Sequence, residues 1–454
     1  MADVLPFRGW RYDPEQVGDM ANIVAPPYDV ISEPERQAFL AKHPCNVVRL
    51  DLGVDPLGPP PVQSRYELAA ADLREWRREG IVVQEQRPAF YVYEQVYFPP
   101  SPIRRDDAEP IRRRGFVGLV KLEDYEDRIV LPHEGTLRAP KEDRLRLMQA
   151  SEFSLSQIFS IYSDPEMTLE RASEELCAGP PLWEVTDAEG VIHRMWVMDD
   201  AEACAQITAM FEERPLVIAD GHHRYETALA YRNQQREKQD DIPHAPWEYV
   251  SMFMCNMDAG SLTILPCHRL LKELPLEAEA TLWRNVMDIF DTERVVFDSS
   301  SDESRVAGIH GLLGRLAEAG PDEHIFALYS GGNYALLLHL RDMDRAIAHG
   351  VDQLNPATRE LDVALLHKLV IEGVMGLTGD LAATGVNVAY SRDGHDAANR
   401  VARGEAAMVL YINTTRVEQV MQVALAGEHM PQKGTYFYPK VLSGLVFHDL
   451  RLDA

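Results

Sequence analysis

The sequence predicts an α+β protein of mixed α/β type, and three observations support this fold class. Segments with helical spacing of apolar residues are interspersed with short apolar or aromatic runs that are typical of strands. Some strand candidates follow one another with no helix between them, which indicates antiparallel pairing, and the alternation is too irregular for a doubly wound sheet. The chain has 454 residues, more than a single hydrophobic core normally serves, so two or three domains are expected.

Capping boxes predict two helices early in the chain. One begins after Ser32 and one after Ser64, each with a glutamate three residues later, and the second ends at Gly80. The proline-rich segment 53–61 between them is predicted to be an exposed loop.

Two strands are predicted next, over 89–98 and 115–121, from their aromatic and β-branched residues. The arginine-rich segment 104–114 between them also contains acidic residues. It is therefore interpreted as a solvated loop of a hairpin and not as a nucleic-acid patch.

The middle of the chain alternates between helix and strand. A helix is predicted over 141–149, an extended segment over 191–197, a helix over 201–213 and a buried strand just before Asp220.

The rest of the chain is predicted to mix both types of element. A hairpin is expected from 248–256 and 261–265. Two helices within 276–319 should flank a strand at 294–297. Further strands are predicted at 324–329, 334–340, 386–390 and 407–412, with helices at 361–375 and 417–425.

The most informative motif runs from Pro215 to Leu229, where an apolar strand, one glycine and a helix start enclose Asp220, Gly221, His222, His223 and Arg224. A glycine lets the backbone approach a ligand closely, and the first turn of a helix has free N–H groups that favour an anion. Arg224 adds a planar five-donor guanidinium. The pattern favours a phosphate or nucleotide site over the alternative, a structural turn with surface histidines.

The composition argues against several classes of partner. Asp and Glu number 72 against 45 Lys and Arg, which gives a net charge of −27 and disfavours a nucleic acid or an anionic membrane surface. No apolar run is long enough to span a membrane, and the first residues lack the layout of an export signal, so we expect a cytoplasmic protein. The 5 cysteines are scattered, which indicates neither a zinc ribbon nor a disulfide framework.

Several motifs together resemble a known family. The box 219–224 is similar to the Gly-x-His-Arg-type box of the ParB/sulfiredoxin superfamily, in the version found in free-serine kinases. The whole chain resembles the bacterial family called domain of unknown function 1015. The motifs that carry this second resemblance lie at 25–32, 132–136, 219–224, 265–269 and 430–440. One departure is Gly434, which stands where the family pattern has serine.

The resemblance implies a division of the chain and a catalytic base. A ParB/sulfiredoxin-like core over 89–240 would bind the nucleotide, with an N-terminal α/β segment at 1–88 and a C-terminal α+β domain at 241–454 that closes the site. In the serine kinases, a Pro-His-Glu element supplies the glutamate that takes the proton from the substrate hydroxyl, and here that residue is Glu134. Without the resemblance, a glutamate after Pro-His is more often a surface or helix-capping residue.

The remaining candidate residues fall into three groups. Those with a catalytic role beside Glu134 are His133, Asp220 and His223. Those expected to bind the nucleotide are Gly221, His222, Arg224, Lys141 and Arg144. Those expected to bind the substrate are Tyr28, Asp29, Thr136, His268, Arg269, Lys433, Thr435 and Tyr436.

Each of these groups has a structural alternative. Lys141 and Arg144 share a helix face and could meet one phosphate, or simply face solvent. Tyr28 and Asp29 follow two prolines and could form only a locally satisfied turn. The aromatic residues of 433–440 could close a site or merely pack the end of the chain onto the body.

Zinc bound by His133, His222 and His223 is disfavoured. Neighbouring side chains at a helix start diverge by about 100°, so His222 and His223 would not face one ion. No metal held by protein groups alone is predicted; Mg2+ bound by a carboxylate and the nucleotide phosphates is more plausible.

The sequence therefore favours a kinase-like phosphotransferase that moves a phosphoryl group from ATP or ADP to a small hydroxyl metabolite, with L-serine as the leading acceptor. Two alternatives stay open: a ParB-like nucleotide-binding regulator, and a phosphatase acting on a phosphorylated amino acid. The expected partner is a small molecule, and the sequence leaves open whether the chain forms a homo-oligomer.

Overall fold

The computed structural model describes residues 2–55, 64–100, 108–239, 242–273, 276–320, 323–373, 387–431 and 433–452. Within these ranges the strands are β1 (Val4–Leu5), β2 (Trp10–Tyr12), β3 (Val82–Gln84), β4 (Phe90–Tyr97), β5 (Ile111–Lys121), β6 (Val130–Leu131), β7 (Phe153–Ser154), β8 (Ile158–Tyr162), β9 (Trp183–Thr186), β10 (Ile192–Met198), β11 (Leu216–Asp220), β12 (Tyr249–Asn256), β13 (Thr263–Ile264), β14 (His268–Leu271), β15 (Phe290–Val296), β16 (Ile325–Tyr329), β17 (Tyr334–Leu340), β18 (Val388–Ser391), β19 (Met408–Tyr411), β20 (Phe437–Tyr438) and β21 (His448–Asp449).

The α-helices of the same ranges are α1 (Pro14–Val17), α2 (Glu33–Lys42), α3 (Val48–Asp51), α4 (Arg65–Arg78), α5 (Arg138–Ser151), α6 (Thr168–Ala172), α7 (Glu174–Ala178), α8 (Ala201–Met210), α9 (His222–Lys238), α10 (Leu276–Ile289), α11 (Asp302–Ala317), α12 (Met343–Ala348), α13 (Asp362–Leu366), α14 (Gly394–Ala402) and α15 (Val417–Ala426). Helix α13 continues as a π-helix over His367–Glu372.

A mixed sheet of nine of these strands forms the larger part of the fold. Eight of the strands follow the order β6-β11-β8-β12-β5-β4-β10-β9, and β1 also pairs with β5. The pairs β6/β11 and β8/β12 are parallel, and the other pairs are antiparallel. The site described below lies at the β6/β11 edge of this sheet.

A second sheet of six strands is antiparallel and has the order β15-β17-β16-β19-β14-β18. The end of the chain forms two small two-stranded sheets, in which β20 pairs with β13 and β21 pairs with β7. The segment from Lys433 to Lys440 contacts both of the larger sheets, because Arg269 of β14 binds the Lys433 carbonyl and Arg113 of β5 binds the Tyr438 carbonyl.

Apolar side chains cover both faces of the nine-stranded sheet because alternate residues of a strand point to opposite faces. In β11, Val217 and Ala219 belong to one core cluster and Leu216 and Ile218 to the other. The first of these clusters continues into the six-stranded sheet through residues such as Phe326, so the two sheets share one core.

The fold class predicted from the sequence is confirmed: the protein is a mixed α/β, α+β structure. The capping boxes at Ser32 and Ser64 are present and begin α2 and α4. The strand before Asp220 and the helix after it are also present as β11 and α9.

Two other predictions are wrong, and both errors concern burial. The segments 248–256 and 261–265 do not form a hairpin, because β12 pairs with β5 and β8 while β13 pairs with β20. All residues of β12 are buried, which a central strand explains and a two-stranded hairpin does not.

The predicted loop 104–114 is wrong over its second half. Strand β5 begins at Ile111, Arg112 and Arg114 form ion pairs with Glu94 of β4, and Arg113 between them is fully buried. Residues 104–107 of this segment, like 56–61 of the predicted proline-rich loop, lie outside the described residues.

The division into 1–88, 89–240 and 241–454 stays a prediction, although β12 lies beyond residue 240 and belongs to the same sheet as β4, β5, β6 and β8 to β11. Among the described helices, none has the length and apolar character needed to cross a membrane.

Candidate active site

Two sequence motifs meet at the edge of the nine-stranded sheet. Strands β6 and β11 are parallel neighbours, with Val130 opposite Leu216, so the residues that follow each strand emerge at the same edge. The backbone N–H of His133 donates to Nε2 of His222 at 3.3 Å, and the two rings pack edge to face with centroids 4.7 Å apart. The structure therefore brings the 132–136 box and the 219–224 box together.

The turn between β11 and α9 depends on Gly221, whose φ is 94°. A Cβ at this position would lie 2.9 Å from both Nε and Nη2 of Arg224, so the guanidinium lies directly over the glycine. Helix α9 starts at His222 and presents the N–H groups of its first turn at this point.

Asp220 binds two cations. Its Oδ1 accepts from Lys440 Nζ at 2.8 Å and its Oδ2 accepts from Arg224 Nη2 at 3.1 Å. Burial acts to raise the pKa of Asp220, but the charges of Lys440 and Arg224 outweigh it and hold that pKa well below its ordinary range. Arg224 also donates to the carbonyl of Gln157. The three charged groups carry a net positive charge, as an anion site requires.

Glu134 lies half-buried in the same cleft, where its backbone forms a parallel bridge with Met430. Burial raises the pKa of the Glu134 carboxyl above its ordinary value, although the charge and backbone N–H of Lys433 act in the opposite direction. Asp220 is close enough to raise the pKa of Glu134 further. The pKa of Glu134 is therefore raised while the pKa of the nearby Asp220 is lowered. Such a difference suits one carboxylate to accept a proton and the other to remain charged.

The histidines of the site are neutral near pH 7. The carbonyl of Ile218 lies 2.7 Å from His133 Nδ1, which must carry the proton, so His133 Nε2 accepts from the Thr435 hydroxyl at 2.9 Å. Burial lowers the pKa of His133 to about 4 and also lowers the pKa values of His222 and His223. These rings act as hydrogen-bonding groups and not as cations.

The neutral state of His133 predicts a loss of stability in acid. The unfolded chain takes up a proton on this residue near pH 6.5 whereas the folded chain does so near pH 4, so stability falls as the pH decreases between these values. From pH 7 to 5.5 we expect His133 to account for about 1 kcal/mol of the decrease in unfolding free energy. Urea unfolding at both pH values, with a His133→Gln variant for comparison, measures this. An equal decrease in the variant would contradict the assignment.

The C-terminal segment borders the cleft. Lys440 Nζ lies 4.3 Å from the ring centroid of Tyr436, which also receives a hydrogen bond from Arg392. Lys433 is exposed and adopts φ 57°. At the next residue, Gly434, a Cβ would lie 2.9 Å from the carbonyl oxygen of Pro431, so a side chain there would require the segment to shift.

Tyr28 and Asp29 approach the site from the N-terminal region. The guanidinium carbon of Arg144 lies over the Tyr28 ring, 4.1 Å from the centroid of that ring. Burial raises the pKa of Tyr28 to about 12, although Arg224 is near enough to oppose this shift. Asp29 is exposed and affects the pKa of His223. Both residues therefore lie at the border of the cleft.

Three other candidates form hydrogen bonds or ion pairs with carboxylates. Lys141 Nζ and Thr136 Oγ1 both donate to Oε2 of Glu226, each at 2.7 Å. Arg144 is buried between Asp51 and Asp143. Lys141 and Arg144 thus do not converge on one point, and Arg144 connects α5 to α3 within the body of the protein.

His268 and Arg269 lie side by side in β14 but have different surroundings. Arg269 donates to the Lys433 carbonyl at 3.3 Å and so contacts the C-terminal segment. His268 packs against Tyr411 with ring centroids 4.9 Å apart, inside the six-stranded sheet, and burial lowers its pKa to about 3. The structure brings Arg269 toward the site and leaves His268 in the core.

Lys440 and Glu226 contact predicted site residues but were not candidates in the sequence. Lys440 is separated from Asp220 by 220 positions, so no local pattern could indicate their contact. The signal available was a lysine that ends an aromatic segment, Tyr436 to Lys440. Glu226 lies in the second turn of α9, where a glutamate is common and no local pattern distinguishes it as a site residue.

Among the residues that the structure describes, no three histidine, cysteine or acidic side chains group as a possible metal site, and each oxygen of Asp220 accepts a hydrogen bond from a cation. Mg2+ that accompanied a nucleotide would depend on the phosphates for its ligands.

Comparisons with known proteins identify the family. The chain overlaps loosely with solved structures: free serine kinase in complex with AMP (13% identity, TM-score 0.35, 74% of this chain and 91% of that chain) and a mutant of that kinase in complex with ADP (13%, 0.35, 74% and 92%). A conserved hypothetical protein from Pyrococcus furiosus overlaps to a similar extent (13%, 0.33, 74% and 95%). None of the curated proteins compared with the chain matches it. The model of the family described as protein of unknown function (DUF1015) matches residues 4–364, and the chain therefore belongs to that family.

Proposed function

We propose that this protein is a phosphotransferase that moves a phosphoryl group from a nucleotide to a hydroxyl group of a small metabolite. One observation carries the proposal: the half-buried carboxylate of Glu134 lies near Asp220 and Lys440, and Asp220 binds both Lys440 and Arg224 at the start of α9. Phosphoryl transfer needs mainly positioning and neutralisation of charge, with a base that aims the attacking hydroxyl. This cleft contains groups for both tasks.

In this proposal the box 220–224 and Lys440 bind the phosphates. Gly221 leaves room for the guanidinium of Arg224 beside the N–H groups of the first turn of α9, where phosphate oxygens would bind. Asp220 holds Arg224 and Lys440 in place, and these two cations balance the negative charge of the phosphates. The donor would be ATP or ADP. No step is assigned to Mg2+.

Glu134 is the proposed base. A carboxylate buried so that its pKa is raised accepts a proton from a hydroxyl more readily than an exposed one. The sign of the pH dependence follows. Only the deprotonated form can accept the proton, so transfer should increase with pH through the raised pKa of Glu134.

L-Serine is the leading acceptor, because the Pro-His-Glu and Asp-Gly-His-His-Arg motifs resemble those of free-serine kinases. The charges at the border of the cleft are compatible with an amino acid. Lys433 and Asp29 both lie near enough to His223 to affect its pKa, and they offer one positive and one negative partner for a zwitterion.

A transfer screen tests the proposal. Purified protein is incubated with ATP, ADP or pyrophosphate and with hydroxy amino acids and polyols, and phosphate transfer to each acceptor is measured. We expect acceptor-dependent nucleotide consumption, highest with L-serine. Consumption that ignores every acceptor would favour the nucleotide-binding regulator, and release of phosphate from a phosphorylated amino acid without nucleotide would favour the phosphatase.

A further inference from the structure

Arg113 is a buried arginine with no acidic partner among the described residues. It lies in the middle of the nine-stranded sheet, in β5, and its side chain is 0% exposed. None of the carboxylates that the structure describes lies within ion-pair distance of it. Burying a charge costs free energy unless hydrogen bonds compensate for the lost water. The hydrogen-bond partners of Arg113 therefore indicate its structural role.

Those partners belong to the C-terminal segment that borders the candidate active site. Arg113 Nη1 donates to the carbonyl of Tyr438 at 3.2 Å, and Nη2 donates to the carbonyl of Pro439. The guanidinium also lies 4.9 Å from the ring centroid of Phe159, which stabilises a cation.

Gln95 of β4 completes the arrangement. Its Oε1 accepts from Arg113 Nε at 3.0 Å, and its Nε2 donates to the carbonyl of Lys440 at 2.9 Å. Arg113 and Gln95 therefore bind three consecutive carbonyls, those of Tyr438, Pro439 and Lys440. The side chain of Lys440 then reaches Asp220 at 2.8 Å.

We propose that Arg113 and Gln95 are positioning residues that fix the backbone at Lys440 and so hold its ammonium group at Asp220. The planar fork of arginine suits this task, because it can bind two neighbouring carbonyls at once, whereas lysine offers a point charge. The proposal that Arg113 and Gln95 fix the position of Lys440 does not depend on the proposed function. The further step, that this position of Lys440 serves phosphate binding, rests on the proposed function.

A first experiment measures the position of Lys440 without any ligand. Folded protein is treated with an amine-acylating reagent, and the acylation rate of each lysine is determined by mass spectrometry. In Arg113→Lys we expect Lys440 to react roughly tenfold faster, the change that loss of one charged hydrogen bond produces. Lys141, which binds Glu226 in the same protein, serves as the internal control and should not change.

Two further variants make the result decisive. Gln95→Glu keeps a partner for Arg113 but removes the donor to the Lys440 carbonyl, so it should also expose Lys440. Arg232→Lys changes another buried arginine, one that binds Leu122 and Asp124, and should leave Lys440 protected. Unchanged Lys440 reactivity in folded Arg113→Lys and Gln95→Glu overturns the proposal. Faster reaction of all lysines in both variants also overturns it, because Arg113 and Gln95 would then only stabilise the fold.

A second experiment connects positioning to ligand binding. ADP affinity is measured by calorimetry for Arg113→Lys, Lys440→Met and the double variant. If Arg113 acts through Lys440, its substitution weakens ADP binding about tenfold in the parent and has little effect once Lys440 is methionine. Equal effects in both backgrounds contradict the proposal. If the parent does not bind ADP, the proposed function fails while the acylation result still decides the positioning role.

Discussion

Replacing Glu134 by glutamine is expected to reduce phosphate transfer to the acceptor by ~10²–10⁴ while nucleotide affinity changes little. Glutamine keeps the shape of the side chain and its hydrogen-bonding reach, but it has no basic oxygen to take the hydroxyl proton. The Lys433 N–H, which bonds to the Glu134 carboxylate, can still bond to the amide oxygen, so the C-terminal segment should keep its position.

The measurement compares nucleotide consumption by parent and Glu134→Gln proteins with and without L-serine, at several pH values. The parent rate should increase with pH through the raised pKa of Glu134, and the variant should lack this increase. Glu170 provides a matched control, because burial also raises the pKa of this half-buried carboxyl on α6. Equal transfer by the parent and Glu134→Gln would show that Glu134 is not the base, and equal losses in Glu134→Gln and Glu170→Gln would point to a general structural effect.

The part of the site formed by neighbouring residues could be predicted from the sequence. Strand β11, Gly221 and helix α9 follow one another directly, and each has a strong local signal: an apolar run, a glycine and a helical repeat. The order of strand, glycine turn and helix was therefore predicted correctly, although α9 begins at His222, earlier than the helical spacing after Arg224 indicated. The Glu134 box came from the resemblance and not from local physics, since one carboxylate after Pro-His has no distinctive pattern.

Contacts between distant segments could not be predicted. Lys440 meets Asp220 only because β20, which precedes Lys440, pairs with β13 and brings the end of the chain close to the end of β11. Arg113 is interpreted from the sequence as part of a solvated loop because the segment 104–114 mixes arginines with acidic residues, yet alternate residues of a strand face opposite sides. Arg112 and Arg114 bind Glu94 on one face, while Arg113 is buried on the other.

The same limit applies to Arg144, which has the right charge and helix position for a phosphate ligand. Helical spacing places Arg144 near Lys141, but spacing does not reveal which partners the rest of the fold supplies. Asp51 and Asp143 form ion pairs with the guanidinium of Arg144, and the Tyr28 ring packs against the face of this guanidinium. An arginine, although suited to bind phosphate, can thus instead connect two helices, here α5 and α3.

Replacing Arg224 by alanine is expected to weaken ADP or ATP binding by about 10- to 150-fold, because a hydrogen bond to a charged group contributes ~1.5–3 kcal/mol. The guanidinium lies over Gly221 at the start of α9, where the phosphates are proposed to bind, and its loss leaves Lys440 as the remaining cation on Asp220. Calorimetric titration with each nucleotide measures the change. Arg224→Lys should recover part of the affinity, since it keeps the charge but not the planar fork.

The matched control for this prediction is Arg232→Ala, because Arg232 is a buried arginine on the same helix that binds Leu122 and Asp124 outside the cleft. Both alanine variants lose buried hydrogen bonds, so both should unfold at lower urea concentration than the parent. Only Arg224→Ala should also lose nucleotide affinity. Unchanged affinity in folded Arg224→Ala would remove the phosphate site from the start of α9, and equal losses in both variants would mean that affinity follows stability and not a contact with the phosphates.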